Sequence, residues 1–296
     1  MRTRIQLSLR TCLAVALALS AATQAWPKGV TLRYTQSQGD KALYRFASSA
    51  RGKLDVQKGL TTSTVEMSIQ MKVATEVTDV APDGDLRIQA QITSGGVKAK
   101  SEGQQDSAPV GNVVANYTIS PQGGVRTAEL VSGDPPAFPH LFIAFMPDDA
   151  FLIGGLAQFP EKALNPGDIW SGVVRIPSPD GGAEEAPYKS KLLGLQQFKG
   201  RPCAKIKTTA KSSNTSTEAA PDGSGTITGK VAVVRDTTWL YDYGRGAIMS
   251  AESTDRLSVT LTGNDEAGNP SQASISGVLN SRAQLLEFNG QRIPAK

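Results

Sequence analysis

Apolar and polar residues alternate one for one along most of this chain. The clearest run places Val65, Met67, Ile69, Met71, Val73 and Val77 on one face, with Glu66, Ser68, Gln70, Lys72 and Glu76 on the other. A period of two is that of a β-strand with one side in a core and the other in water. Ala81-Pro82-Asp83-Gly84-Asp85 then supplies turn chemistry, and the alternation resumes at Leu86, Ile88, Ala90 and Ile92. Two such segments predict a long antiparallel hairpin. The same design predicts strands over 188–198 and 201–211 about Lys199-Gly200, and over 226–241 and 247–262 about Tyr243-Gly244-Arg245-Gly246. A last strand carries Ala273, Ile275, Gly277, Leu279, Ala283 and Leu285. The polar stretches 101–107 and 212–224 lack this spacing and read as exposed loops.

The pieces also come in the same order twice. Gly39-Asp40 precedes Leu43-Tyr44, and Gly167-Asp168 precedes Ile169-Trp170; a long hairpin follows each. Tyr117-Thr118-Ile119, Gly123-Gly124-Val125 and Ala128-Glu129 in the first half have counterparts in Trp239-Leu240-Tyr241, Gly246-Ala247-Ile248 and Ala251-Glu252. This order predicts an internal duplication. The expected fold is mainly β, with long antiparallel hairpins forming one curved sheet or two half-barrels.

Only the middle of the chain has another character. Five of the eight phenylalanines lie there, and Phe138, Leu141, Phe142, Phe145 and Met146 fall on one helical face. Asp134-Pro135-Pro136 can start that helix and Pro147 stops it, while Asp148-Asp149 can cap a second one bearing Leu152, Ile153 and Leu156. Short helices are therefore expected in this segment. They can finish the core of the curved sheet, line an apolar cavity opposite Trp170 and Trp239, or form a protein-binding patch. The organisation that results is a leader at 1–25, a first β-half at 26–131, an apolar connector at 132–165 and a second β-half at 166–296.

The run Pro160-Glu161-Lys162-Ala163-Leu164-Asn165-Pro166-Gly167-Asp168-Ile169-Trp170 resembles a Gly-Asp-x-Trp element of uncharacterised secreted β-rich bacterial proteins. The layout is also similar, more distantly, to lipoprotein carriers of the LolA type. That resemblance implies a curved antiparallel sheet closed by short helices over an apolar cavity. The duplication is a departure from those single-unit carriers, and architecture alone does not carry function across.

The leader changes how charge and cysteine are read. Arg2, Arg4 and Arg10, the apolar run Cys12 to Leu19 and the small residues through Ala25 have the order of a secretory signal peptide. The apolar run is far short of the roughly 20 residues a membrane span needs. Cleavage after Ala25 removes those three arginines from 31 basic residues, leaving 28 against 27 acidic ones, a net charge of +1. No basic arm is left to recruit nucleic acid or an anionic membrane. Cys12 leaves too, so Cys203 is the single mature thiol, expected to be a small buried side chain, and no internal disulfide is expected.

Catalytic chemistry finds little support. His140 is the only histidine and sits on the apolar segment, and no Gly-x-Ser-x-Gly element is present. One histidine and one mature cysteine are too few for a zinc site, and Asp83-Gly84-Asp85 and Asn264-Asp265-Glu266 fit turns better than calcium loops. Gly223-Ser224-Gly225 lacks the context of a dinucleotide site. No cofactor is expected. The reading is an exported, non-enzymatic protein of the bacterial periplasm or medium that binds an apolar small molecule, a lipid or a partner protein. A packed structural or adhesive module, or an enzyme with an unrecognised site, stand as alternatives.

Overall fold

The computed structural model describes residues 29–56, 61–101, 104–133, 158–177, 183–219, 226–264 and 270–294, and every regular element in them is a β-strand. The first arm of the chain contributes β1 (Lys41–Val56), β2 (Thr61–Val80), β3 (Leu86–Ser101), β4 (Gln104–Pro109), β5 (Val114–Ile119) and β6 (Val125–Ser132). The second contributes β7 (Ile169–Pro177), β8 (Ala183–Phe198), β9 (Arg201–Ala219), β10 (Thr226–Asp242) and β11 (Ala247–Asn264). Then come β12 (Pro270–Phe288) and the short β13 (Gln291–Arg292).

All pair antiparallel in one sheet, in the order β6-β5-β3-β2-β1-β12-β11-β10-β9-β8-β7, with β4 on β3 and β13 on β12. The last long strand thus lies between the first strand and β11, and it joins the two arms into one continuous surface. Of the two expected arrangements, the single curved sheet is therefore the one formed. Its edge strands β6 and β7 approach each other without pairing.

Alternation decides which way the sheet faces. Met67, Ile69, Met71 and Val73 on β2 are buried, as are Leu257 and Val259 on β11 and Ile275, Leu279 and Leu285 on β12. The intervening positions carry exposed charge paired across strands: Lys41–Glu76 at 3.1 Å, Arg51–Glu66 at 3.5 Å and Arg282–Glu252 at 3.5 Å. Such exposed pairs contribute little, commonly about 0–1 kcal/mol each. Burial of the inner face contributes the larger share, about 1.5–3 kcal/mol for each large apolar side chain removed from water.

Two segments outside the sheet fill one end of the curl, here called the base. Residues 29–36 and 158–165 are tied to each other through Val30 and Leu164, whose amides and carbonyls exchange hydrogen bonds of 2.8 and 2.9 Å. They are tied to the sheet where Tyr34 N–H donates to the Pro121 carbonyl and Phe159 N–H to the Gln122 carbonyl. Leu32, Leu164, Tyr34 and Phe159 are buried in one cluster with Val77, Leu86 and Ile119 of the first arm and Trp170, Leu192 and Ile206 of the second. The strap therefore sits inside the curl and touches both arms. Gly246 marks how closely it is held: its φ is +64°, and a Cβ there would lie 2.3 Å from the Thr35 nitrogen.

The arms share local construction. Asp40 and Asp168 each accept from the amide three residues earlier, Ser37 at 2.7 Å and Asn165 at 2.8 Å. Gly39 and Gly167 donate to the Val77 and Leu192 carbonyls, and those two residues donate back to Asp40 and Asp168. Tyr117 lies opposite Ala128, and Trp239 opposite Ala251. A register shift follows at Thr118/Ile119 in one hairpin and at Leu240/Tyr241 in the other.

One expectation falls outside the described residues and another differs from what is seen. The described residues hold no helix; the two expected helices fall on 134–157, outside the described residues. The stretches 101–107 and 212–224 are not simply loops, because β4 spans Gln104–Pro109 and β9 runs on to Ala219. Strand pairing satisfies backbone groups whether or not side chains are buried, and β4 is exposed at every position. A reading based on buried periodicity passes over such strands.

Candidate functional site

Above the strap, the inner face of the sheet stays open. The row Phe46, Ala283, Ala251 and Trp239 runs in register across β1, β12, β11 and β10. Tyr44 lies below Phe46 on β1, while Ile88 and Tyr117 approach from the other side of the curl. With Tyr34 and Gln36 of the strap as a floor, these residues line a hollow of about 90 Å³ that is partly open to solvent. The alanines matter as much as the aromatics. Ala251 and Ala283 present only a methyl group, so the sheet wall recedes between Phe46 and Trp239.

The floor is rigidly built. Tyr34, Phe159 and Tyr241 form a triangle of rings with centroids 5.5, 5.4 and 4.6 Å apart, spacings at which aromatic pairs attract. The Tyr241 hydroxyl donates to the Arg33 carbonyl at 2.6 Å. Burial pushes the phenols of Tyr44 and Tyr241 well above their ordinary range, so both remain neutral donors beside the cavity.

Of the residues picked from the sequence, Trp239 lines the cavity and its indole donates to the Thr208 hydroxyl at 3.2 Å. Trp170 is buried in the adjoining basal cluster, where its indole donates to the Gln158 carbonyl at 2.8 Å. Phe138, Leu141, Phe142, Phe145 and Met146 lie outside the described residues. The sequence reading passed over Tyr34, Tyr44, Phe46, Ile88 and Tyr117 as site residues. A signal for them exists: Val30, Leu32 and Tyr34 alternate, as do Ala42, Tyr44 and Phe46, but alternation marks a buried face without saying whether the face is filled.

Reactive groups do not gather here. Cys203 is fully buried in a cluster with Met249 and Phe288, and burial pushes its thiol up to about 12, with Asp242 adding to the rise and Arg201 opposing it. A thiol so placed stays protonated and makes a poor nucleophile. Asp242 is buried at the β10–β11 turn, where it caps the amides of Gly244 and Arg245 and faces Arg201 at 3.7 Å. Asp83 and Asp85 serve the β2–β3 turn, and Asp85 pairs with Arg126. Among the described residues no three His, Cys, Asp or Glu side chains are grouped to hold a metal ion, and no helix is long and apolar enough to cross a membrane.

No protein-family model matches the chain, and no curated protein matches it by sequence. Among solved structures it is similar to lipovitellin, from a study of lipid–protein interactions, with 12% identity and a TM-score of 0.45. The match covers 88% of this chain and 26% of that one, so the chain spans about a quarter of the lipovitellin chain. It is similar to OccK7 of Pseudomonas aeruginosa at 7% identity and a TM-score of 0.26, covering 84% of this chain and 100% of the other. A DUF1329 family protein of Desulfovibrio piger aligns at 10% identity and a TM-score of 0.13, over 79% of this chain and 83% of that. These are likenesses among β-rich proteins, and the functional reading rests on the residues of this chain.

Proposed function

We propose that this is an exported, non-catalytic protein that carries an apolar ligand inside its curved sheet. The observation that supports it is the cavity itself, walled by aromatic and alanine side chains from both arms and floored by the strap. The opposite face of the same strands carries Lys41, Arg51, Glu66, Lys72, Glu252 and Arg282. Apolar inside and charged outside suits a shell that shields a ligand from water. It is the reverse of a transmembrane barrel, whose outer band is apolar. Export is supported by the charged, apolar and small-residue order of the leader. The matched turns and hairpins support reading the two arms as copies of one meander; an experimental structure whose arms superpose no better than unrelated meanders would remove that part.

The test uses N-phenyl-1-naphthylamine, a neutral apolar fluorophore, and the variant Ala283→Phe, which fills the recess beside Phe46. Wild-type protein is expected to bind the probe saturably. The variant should lose at least about tenfold in affinity, about 1.4 kcal/mol, while keeping a cooperative unfolding transition. A wild-type protein that binds no probe, or a filled variant that binds it unchanged, overturns the reading.

A further inference from the structure

One row above the cavity, the alternation keeps its period but changes its chemistry. Ser48, Ser281, Ser253, Thr237, Thr208 and Ser190 lie opposite one another across six adjacent strands, β1, β12, β11, β10, β9 and β8. All six take the inward parity that the cavity row below gives to Phe46, Ala283, Ala251 and Trp239. The next row holds Asp255 and Arg235, directly opposite each other between Leu279 and Ala210. The Arg235 Nε donates to both Asp255 carboxylate oxygens at 3.0 Å and its Nη2 to Oδ2 at 2.7 Å.

A hydroxyl tier and an ion pair on the inner face of an apolar sheet cost desolvation that valine or leucine would not. The outer members of the tier satisfy each other. Ser48 and Ser281 share a hydrogen bond of 2.8 Å, Ser190 and Thr208 another of 2.8 Å, and Thr208 also accepts from Trp239. The two central members do not. Among the described residues neither Thr237 nor Ser253 makes a side-chain hydrogen bond, Arg235 bonds only through Nε and Nη2, and these open atoms are within reach of solvent rather than buried away from it. Thr237 stands two residues along β10 from Trp239 on the cavity wall, and Arg235 two further on. At about 3.3 Å per residue, the tier lies about 7 Å above the cavity wall and the guanidinium about 7 Å above that.

We infer that the ligand is an acyl lipid, with its chain in the cavity and its carbonyl-bearing head at Thr237, Ser253 and Arg235. The open groups are two hydroxyls and guanidinium N–H bonds, so they call for a head rich in acceptors. Arg235 and Asp255 are neutral as a pair, so the site suits an ester at least as well as a carboxylate. This inference rests on the carrier reading above and adds the orientation and the class of head group.

Methyl dodecanoate, dodecanoate and dodecane, each displacing N-phenyl-1-naphthylamine, test it on wild type and on Thr237→Val, which keeps the shape and removes the hydroxyl. Methyl dodecanoate is expected to lose about three- to tenfold in affinity in the variant, and dodecane to lose nothing. The double variant Arg235→Met with Asp255→Leu, which removes both charges together, should show the same selective loss. Equal losses for ester and alkane, or none for either, overturn the assignment while leaving the carrier reading standing. A carboxylate held tenfold more tightly than the ester overturns the neutral head site. A wild-type protein from which none of the three displaces the probe overturns the assignment as well. One that binds no probe overturns both readings.

Discussion

The two arms of the sheet share a Gly-Asp turn and an aromatic–alanine hairpin, yet they end differently. In the first arm the β5–β6 hairpin is the free edge: β6 pairs on one side only, and Leu130 and Val131 are about half exposed. In the second arm the equivalent β10–β11 hairpin is interior, because β12 pairs along β11 and hands the sheet on to β1. The same aromatic–alanine pair thus appears twice in the sheet, once at a thin edge as Tyr117 opposite Ala128 and once in the middle of a thick wall as Trp239 opposite Ala251. Local sequence specifies the hairpin; what the hairpin packs against is specified by residues far away in the chain.

That difference is open to direct challenge, starting with the largest effect. Trp239→Ala should cost about 3–5 kcal/mol, since Trp239 is buried between fully paired strands. Tyr117→Ala, at the edge hairpin, should cost about 2–3 kcal/mol, because that site can relax toward solvent. Chemical denaturation of both variants checks this, and equal or reversed costs would break the comparison. Next comes Tyr241→Phe, which strands the Arg33 carbonyl and should cost about 1–2 kcal/mol; its first-arm counterpart is Ile119, which has no such hydroxyl. A smaller contrast lies at the paired turns. Asp168→Ala should cost about 0.5–1 kcal/mol and Asp40→Ala somewhat more, because Asp40 also accepts from Asn289 at 2.7 Å. A thermal-shift series in which Asp168 proves the costlier would contradict the geometry.

The effect that is smallest near neutrality is the pH dependence. Burial raises the Cys203 thiol to about 12 and the Tyr44 and Tyr241 phenols above their ordinary values. Below about pH 8 the folded and unfolded chains both hold these protons, so stability does not depend on them. Above it the unfolded chain releases them while the folded chain keeps them, and stability falls as pH rises toward about 12. Cys203→Ala should flatten part of that alkaline slope, as measured by denaturation midpoints across pH; an unchanged slope would show that the thiol is not held neutral by the fold.

How much of this was legible beforehand follows from the physics of each signal. The long hairpins about Pro82-Asp83-Gly84 and Lys199-Gly200 were readable because local turn chemistry and a period of two act over a few residues. The similar turns at Gly39-Asp40 and Gly167-Asp168 were readable for the same reason. The joining of β12 to β1 was not, since pairing between Leu54 and Ile275 depends on closing a loop of more than two hundred residues. The strap 29–36 was missed because Val30, Leu32 and Tyr34 alternate like a strand yet lie inside the curl, outside the sheet order. Trp239 was found by residue type alone. The hydroxyl tier is invisible along the chain, because its six members are scattered from Ser48 to Ser281 and meet only through register.

The central claim is that a ligand occupies the space beside Trp239. The chain has three tryptophans, Trp26, Trp170 and Trp239. Replacing Trp26 and Trp170 by Phe leaves Trp239 as the only indole, and replacing Trp26 and Trp239 leaves Trp170. Titration with a bromine-labelled fatty acyl methyl ester, a short-range quencher, should quench Trp239 emission saturably and leave Trp170 largely unquenched. Quenching of Trp170 as strong as that of Trp239, or no saturable quenching of either, would contradict the account.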